Sequence, residues 1–208
     1  MPIPNLKNQN QADKVKTAIL ISGGGSNMAA LIKAAQAPNY PAKIVLVISN
    51  RPNAGGIAKA EALGIKTICI NHKDFKTRKS FEQAMDVVLR GHETELICNA
   101  GFMRILSPWF VKRWLGRQLN IHPSLLPKFK GLHTHERAVE AGETEHGCTI
   151  HYVDEGMDTG EIIAQAKVGI SPEETSVTLA QKVLQQEHIL YPAVLETVAR
   201  SLLTRIQK

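Results

Sequence analysis

Short apolar segments rich in Ile and Val alternate along this 208-residue chain with longer segments whose apolar positions recur at helical spacing. This alternation predicts βαβ units around a mostly parallel sheet. The predicted strands are Val15 to Ile21, Lys43 to Ser49, Lys66 to Ile70, Glu95 to Asn99 and Gln118 to Ile121. The predicted helices between them are Asn27 to Gln36, Gly56 to Leu63, Ser80 to Arg90 and Pro108 to Trp114.

The last third of the chain departs from this alternation. A short helix near His135 to Ala141 precedes a β-hairpin of Cys148 to Val153 and Glu161 to Ile170, whose turn is dense in Gly and Asp. A final helix from Ser176 to about Leu203 is expected to bend at Pro192. The predicted fold class is therefore a doubly wound α/β fold, with a mostly parallel twisted sheet and a late antiparallel hairpin.

Composition favours one domain over residues 1–208, since no Pro/Gly/Ser-rich stretch divides the chain. Because Met1 to Ala12 is polar and no apolar run approaches the roughly 20 residues of a membrane span, we expect a cytoplasmic protein with a disordered tail over residues 1–13. The three cysteines lie in predicted strands without a CxxC pair, and are expected to be buried thiols: Cys69, Cys98 and Cys148.

The formal charge of +6 is unevenly placed. Residues 104–137 carry seven cations against Glu136 alone: Arg104, Lys112, Arg113, Arg117, Lys128, Lys130 and Arg137. Such a segment would attract an anionic small substrate or nucleic acid, or it is simply a solvated face, and composition alone favours the solvated face. The Trp109, Phe110 and Trp114 stripe is expected to pack in the core.

The segment Asn120 to Pro127 places two polar side chains two residues apart at the end of a strand. Alternate residues of a strand share a face, so Asn120 and His122 should point into one site. An amide donor beside an imidazole suits a reaction in which an oxyanion forms at a carbonyl and a proton moves. This pattern indicates acyl transfer, although Asn120 could instead pair with a loop backbone.

The first strand runs into the turn Ser22 to Asn27, which contains three consecutive glycines and precedes a helix. Such a turn lets the backbone and the helix N–H groups approach a phosphate. It lacks the Lys-Ser/Thr of a P-loop and the third Gly of the dinucleotide fingerprint, so a smaller phosphate ester fits better. A tight turn without any ligand is the alternative.

Asp158 lies in the Gly-rich turn of the predicted hairpin. A carboxylate there could reach the ends of the parallel strands, hydrogen-bond His122 and orient its ring, or it could only bond its own backbone.

Five histidines lie between positions 122 and 151, which raises a metal hypothesis, but their spacing matches no usual ligand set and no metal is expected. The basic loop Lys73 to Lys79 is expected to be solvated, with Arg78 available to an acidic ligand group.

Five motifs together resemble the phosphoribosylglycinamide formyltransferases, the folate-dependent transferases of purine synthesis. They span most of the chain after the tail: ISGGGSN from Ile21, AGFMRILSP from Ala100, NIHPSLLPKFKGLHTH from Asn120, EHGCTIHYVDEGMDTG from Glu145 and QQEHILYP from Gln185. The resemblance implies a Rossmann-like formyltransferase fold and formyl transfer from 10-formyltetrahydrofolate to the glycyl amine of N1-(5-phosphoribosyl)glycinamide. It also implies small-molecule substrates, no nucleic-acid or membrane partner, and a monomer or weak homodimer.

The same resemblance assigns roles residue by residue. It implies a catalytic trio of Asn120, His122 and Asp158, a phosphate loop of Gly25, Ser26 and Asn27, and a contact from Glu187 to the amino-sugar substrate. It implies that the folate pocket is lined by Arg78, Met103, Arg104, Ile105, Leu106, Asn120, Asp154, Glu155, Gly156, Met157 and Asp158.

Three alternatives stay open. Formyltetrahydrofolate hydrolase and methionyl-tRNA formyltransferase have a similar core, and each adds a domain for which this chain is expected to have no room. A non-catalytic module that binds nucleotides or nucleic acid would use the basic segment and transfer no formyl group.

Overall fold

One seven-stranded sheet organises residues 14–206, the part of the chain that the computed structural model describes. The tail expected over residues 1–13 lies outside the described residues. The strands are β1 Val15–Ile21, β2 Ala42–Ser49, β3 Thr67–Cys69, β4 Leu96–Asn99, β5 Gln118–His122, β6 Glu145–Tyr152 and β7 Ile162–Gly169. The helices are α1 Ser26–Ala35, α2 Gly55–Ala62, α3 Arg78–Gly91, α4 Pro108–Arg113, α5 Thr134–Glu140 and α6 Ser176–Ile206, and a 3₁₀ turn spans His72–Asp74.

The strand order is β3-β2-β1-β4-β5-β6-β7. Strands β1 to β5 pair in parallel, and β5, β6 and β7 pair antiparallel. The chain first winds from β1 toward β3 and then returns to β4 on the other side of β1, so the carboxyl ends of β1 and β4 flank the crevice where doubly wound sheets bind ligands. The predicted fold class, including the late antiparallel hairpin, is confirmed.

Helices cover both faces of the sheet, because neighbouring residues of the buried strands point to opposite sides. Ile19 of β1 packs in the cluster formed with α1 and α6, which includes Tyr191. Leu20 packs on the other face against α3 and α4, in a cluster that contains Phe110 and Trp114. The predicted core packing of these two aromatic residues is therefore confirmed.

Some expected details change. Strand β6 begins at Glu145 rather than Cys148, because residues 145–147 pair with residues 167–169 of β7 although they are not apolar. Cys98 and Cys148 are buried thiols, but the expectation for Cys69 is wrong: its side chain is exposed, since β3 is a three-residue strand at the sheet edge. Helix α6 continues through Pro192, and the bend expected there stays a prediction.

Within residues 14–206, no helix combines the length and the apolar character that a membrane crossing requires.

Candidate active site

Strand β5 lies next to the crevice and carries the two polar residues that its alternating pattern singled out. Asn120 and His122 are two residues apart and therefore share one face of the sheet. His122 is buried and Asn120 is half-buried. On the opposite face, Leu119 and Ile121 pack in the core, so the strand cannot slip by one residue without exposing them.

The His122 ring is fixed by a backbone carbonyl. Its Nε2 lies 2.9 Å from the carbonyl oxygen of Phe129, in the loop after β5. Because a carbonyl only accepts, Nε2 carries a hydrogen in either protonation state. The proton that His122 gains or loses is therefore on Nδ1, the atom that faces Asp158 at 3.4 Å.

Asp158 reaches this site from the turn between β6 and β7. Its Oδ2 accepts a hydrogen bond from the Gly131 N–H at 2.9 Å, and its Oδ1 lies 3.7 Å from Nε2 of His151. The residue has a left-handed backbone, with φ of 52°, which non-glycine residues rarely adopt. Its contact with His122 is at ion-pair distance rather than a formed hydrogen bond, so the Nδ1 edge stays available to a reacting group.

The turn itself is stabilised by a different carboxylate. Oδ1 of Asp154 accepts from the Gly156 N–H at 3.1 Å and from the Thr159 hydroxyl at 2.7 Å. The sequence left open that Asp158 only hydrogen-bonds the backbone of its own turn. Asp154 makes that kind of hydrogen bond instead. Asp158 is left to bond across to the loop that follows β5.

Sequence reasoning did not assign His151 to this cluster. It lies opposite Asn120 in the antiparallel pair of β5 and β6. Its Nδ1 donates to the Tyr152 carbonyl at 2.8 Å, so its Nε2 accepts from the Asn120 amide at 3.1 Å. Burial lowers the pKa of His151, which keeps this ring neutral and able to accept. This hydrogen bond orients the Asn120 amide and uses one of its two N–H hydrogens. The second is not bound by His151.

The loop after β5 supplies Phe129 and Gly131, and β6 holds it in place. The Thr149 hydroxyl donates to the Ser124 carbonyl at 2.6 Å and accepts from the Leu126 N–H at 3.0 Å. Phe129 has a positive φ of 53°. Backbone conformations of this kind persist only where the surrounding structure enforces them, and they are common at functional sites.

The glycine turn after β1 leads directly into α1. Gly25 has φ of 68°, and a Cβ placed on it would lie 2.9 Å from the Cα of Gly56. Only glycine therefore fits this position without a shift of the backbone. The free N–H groups of the first turn of α1, which begins at Ser26, are at this end of the sheet.

Two of the predicted substrate residues contact each other. Asn27 donates its amide N–H to Oε2 of Glu187, on α6, at 2.6 Å. Burial raises the pKa of Glu187, and the hydrogen bond from Asn27 opposes that shift. The Asn27 Oδ1 atom is buried and has no hydrogen-bond partner within residues 14–206. A buried acceptor beside a carboxylate suits the hydroxyl or amine hydrogens of a ligand.

Most of the residues predicted to line the folate pocket are exposed or half-buried. Arg78, at the start of α3, and Arg104 are exposed and make no ion pair with the described residues. Met103, Ile105 and Met157 are large apolar side chains that are more than half exposed. Leu106 is half-buried, and the exposed Glu155 pairs with Lys112 at 3.3 Å.

Two further histidines, the half-buried His135 and the buried His146, form a pair beside the loop after β5. The rings of His135 and His146 meet edge to face with centroids 5.2 Å apart. Burial lowers the pKa of His135, and burial together with His135 lowers the pKa of His146 to about 4. Among residues 14–206, no group of three or more His, Cys, Asp or Glu side chains is placed to hold a metal ion.

The basic segment is partly neutralised by acids from elsewhere in the fold. Lys128 pairs with Glu143 at 2.8 Å, and Arg113 pairs with the buried Asp86 at 2.8 Å. With the pair of Lys112 and Glu155, three of the seven cations of this segment have a carboxylate partner. These pairs reduce its positive charge and favour its interpretation as a largely solvated face.

Comparison with known proteins places this geometry in a family. The family model described as Formyl transferase matches residues 15–195. The trifunctional purine biosynthetic protein adenosine-3 of Homo sapiens is 50% identical over 186 residues, which cover 89% of this chain. The chain spans only 18% of the length of that relative.

Bacterial relatives match over most of their own length. A phosphoribosylglycinamide formyltransferase of Haemophilus influenzae is 42% identical, with 87% of this chain and 85% of the relative covered. The crystal structure of the phosphoribosylglycinamide formyltransferase of Brucella melitensis superposes with a TM-score of 0.87 at 51% identity, covering 90% of this chain and 96% of that one. The chain therefore belongs to the formyl transferase family, among the phosphoribosylglycinamide formyltransferases.

Proposed function

We propose that the protein transfers a formyl group from 10-formyltetrahydrofolate to the glycyl amine of N1-(5-phosphoribosyl)glycinamide, giving the N-formyl product and tetrahydrofolate, in purine biosynthesis. The observation that carries the proposal is the convergence of Asn120, His122 and Asp158 at the carboxyl end of the sheet. An amide donor, an imidazole and a carboxylate at one point are the groups that a tetrahedral intermediate and a proton transfer need.

The ribonucleotide binds beside this trio. Its phosphate lies on the turn at Gly25, Ser26 and Asn27, where the backbone approaches closely and the N–H groups of α1 are free. Glu187 accepts hydrogens from the amino-sugar part of the substrate. The contact of Glu187 with Asn27 supports this arrangement, because it links the phosphate turn to α6 and so couples the two halves of the pocket.

The folate occupies the rim formed by Met103 to Leu106 and the turn from Asp154 to Asp158, with Asn120 at its inner end. The exposed apolar side chains of Met103, Ile105 and Met157 offer contacts to a ring system. Arg78 and Arg104 are cations without an internal ion-pair partner in the described chain, and they suit the carboxylates of the folate glutamate.

The proposed chemistry is direct attack of the amine on the formyl carbon. Asn120 donates its second amide N–H, and protonated His122 its Nδ1–H, to the oxygen that becomes negative. Asp158 faces the same Nδ1 edge, stabilises the imidazolium and assists a water in moving the proton of the amine to the departing folate nitrogen. No covalent enzyme intermediate and no metal ion form part of this proposal.

The proposal extends to the setting of the reaction. One formyltransferase domain acts on small molecules alone, as a monomer or weak homodimer, without a nucleic-acid or membrane partner. The three cysteines are free thiols, two of them buried, which agrees with a cytoplasmic enzyme.

One assay tests the proposal. Purified protein is mixed with 10-formyl-5,8-dideazafolate and the ribonucleotide, and the folate absorbance is followed, with each substrate omitted in turn. We expect turnover only when both are present. Turnover without the ribonucleotide would identify a hydrolase, transfer only to methionyl-tRNA would identify the tRNA enzyme, and no turnover with any acceptor would leave a binding module.

A further inference from the structure

The loop Met103 to Leu106 is held at its two ends by separate buried side chains. At its upstream end, the Met103 N–H donates to the Ser22 hydroxyl at 2.7 Å. Ser22 is buried at the end of β1 and donates in turn to Oδ1 of Asn50, at the end of β2, at 2.6 Å. The start of the loop is thus attached to the ends of two central strands.

At its downstream end, the loop is attached to Glu82 of α3. One carboxylate oxygen of Glu82 accepts from the Ser107 N–H at 2.7 Å, and the other accepts from the Ser107 hydroxyl. Glu82 is fully buried. No Lys, Arg or His of residues 14–206 lies at ion-pair distance from it, so these two donors are the partners that compensate for its burial.

The contact between Glu82 and Ser107 costs stability in two ways. Ser107 is the N-cap residue of α4, yet its hydroxyl donates to Glu82 instead of capping the helix. A side-chain cap is typically worth about 1 kcal/mol. A buried carboxylate without a cation is also unfavourable for stability. The contact between Glu82 and Ser107 therefore combines two features that do not favour stability. This indicates that it serves to hold the end of the Met103 to Leu106 loop.

The backbone between the two attachments is free. The N–H groups of Arg104, Ile105 and Leu106, and the C=O groups from Met103 to Leu106, make no hydrogen bond with any other described residue. A fixed strip of free donors and acceptors matches the edge of a planar heterocycle that itself carries both. Its affinity depends on how well the strip is held before the ligand arrives.

We propose that Glu82 is a positioning residue for the folate co-substrate, acting through Ser107 to hold the Met103 to Leu106 backbone in its binding conformation. The inference rests on the proposed function, since it takes this loop as the wall of the folate pocket. Glu82 is fully buried and so is not exposed to either substrate. Its loss should therefore weaken folate binding, while the ribonucleotide site at Asn27 and Glu187, which makes no hydrogen bond with Glu82 or Ser107, keeps its affinity.

The test compares Glu82→Gln and Ser107→Ala with Asp86→Asn. Asp86 is a buried carboxylate one turn further along α3 that pairs with Arg90 and Arg113, so its variant perturbs the same helices without touching the loop. Binding of unreactive 5,8-dideazafolate is measured by calorimetry, KM is measured for each substrate, and Tm is recorded. Ser107→Thr, which keeps the hydroxyl, serves as the conservative rescue.

For Glu82→Gln we expect the Kd of 5,8-dideazafolate to rise about ten-fold, equivalent to ~1.4 kcal/mol. The KM of the ribonucleotide should stay within about two-fold of wild type, a free-energy change below ~0.5 kcal/mol. Ser107→Ala should shift the same constants in the same direction by less, and Ser107→Thr should restore them. Asp86→Asn should lower Tm without changing the Kd. If Glu82→Gln does not fold, the comparison of Ser107→Ala with Ser107→Thr tests the inference.

An unchanged Kd in folded variants would overturn the inference, as would an equal weakening of both substrates or the same Kd change in Asp86→Asn. Wild-type protein that does not bind 5,8-dideazafolate would overturn the proposed function and this inference together. Wild-type binding with unaltered variants would overturn the inference alone.

Discussion

Asp158 lies with its Oδ2 atom 3.4 Å from Nδ1 of His122, although the two residues belong to a hairpin turn and to the end of a parallel strand. Strand β6 pairs antiparallel with β5 and ends opposite Leu119, and the turn that follows it brings Asp158 to His151 and His122. The carboxylate therefore faces the ring nitrogen on which the proton is exchanged. Its role in the chemistry is a proposal that substitution can test.

Asp158→Asn should depress kcat by about 10² to 10⁴, the usual contribution of general acid–base catalysis, and leave the fold intact. The amide keeps the shape of the side chain and an oxygen for the Gly131 N–H, but it removes the charge that stabilises protonated His122. Formyl transfer with 10-formyl-5,8-dideazafolate gives kcat, and circular dichroism reports the fold. Asp74→Asn, at an exposed position in the 3₁₀ turn, is the control, and a normal kcat in Asp158→Asn would contradict the assignment.

His151→Phe should reduce kcat by less than Asn120→Ala does. The phenylalanine ring fills the buried position but cannot accept the amide hydrogen of Asn120, so the amide loses the bond that orients it. Removal of one oxyanion donor costs about 2.7 to 4 kcal/mol, and misorientation of that donor should cost part of this. The double variant should be no slower than Asn120→Ala, because both changes remove one function. Additive losses, measured in the same assay, would show that His151 acts independently of Asn120.

Gly25→Ala should be damaging where Gly24→Ala is tolerated. Gly25 has a positive φ, and its new methyl group would lie 2.9 Å from the Gly56 Cα, whereas a Cβ on Gly24 meets nothing within 4 Å. The alanine at position 25 should cost at least the roughly 1 kcal/mol of a left-handed residue. The displaced turn should also raise the KM of the ribonucleotide. Urea unfolding and KM measurements check both effects, and equal behaviour of the two variants would contradict the argument.

The sequence could predict those parts of the site that depend on local pattern. The glycine turn after β1 and the common face of Asn120 and His122 follow from residue type and the two-residue period of a strand. His151 was not assigned, because its contact depends on the register between β5 and β6, which is set by distant parts of the chain. The Phe129 carbonyl carries no residue-type signal at all, since every residue has one.

The site residues on the rim were predicted only through resemblance. Nothing in the local pattern of Arg78 or Glu155 distinguishes a pocket lining from a solvated surface, and the structure shows both as exposed. Cys69 is a second case in which the local pattern could not predict the exposure of a side chain. An apolar run predicts a strand, but it does not show that β3 lies at the sheet edge or that the Cys69 side chain is exposed there.

Acid should destabilise the fold before the carboxylates are protonated, and His146 should account for a measurable part of the effect. Its pKa is lowered from 6.5 to about 4, chiefly by burial, so the folded state binds fewer protons than the unfolded state between these values. The free energy of unfolding therefore falls as the pH is lowered through this window, by at most about 1.4 kcal/mol per pH unit for one group. Well above pH 6.5 both states are neutral at this residue and its contribution is constant.

Urea unfolding of the wild type and of His146→Gln at several pH values between 7 and 4 measures this slope. The variant has a different absolute stability, so the slopes rather than the free energies are compared. His146→Gln should flatten the dependence, whereas His92→Gln, at the end of α3 and away from His135 and His146, controls for the loss of a histidine elsewhere. Because His135 beside it also has a lowered pKa, some slope should remain in the variant. A slope identical to that of wild type would show that the pKa of His146 is not lowered in the folded state and would contradict the prediction.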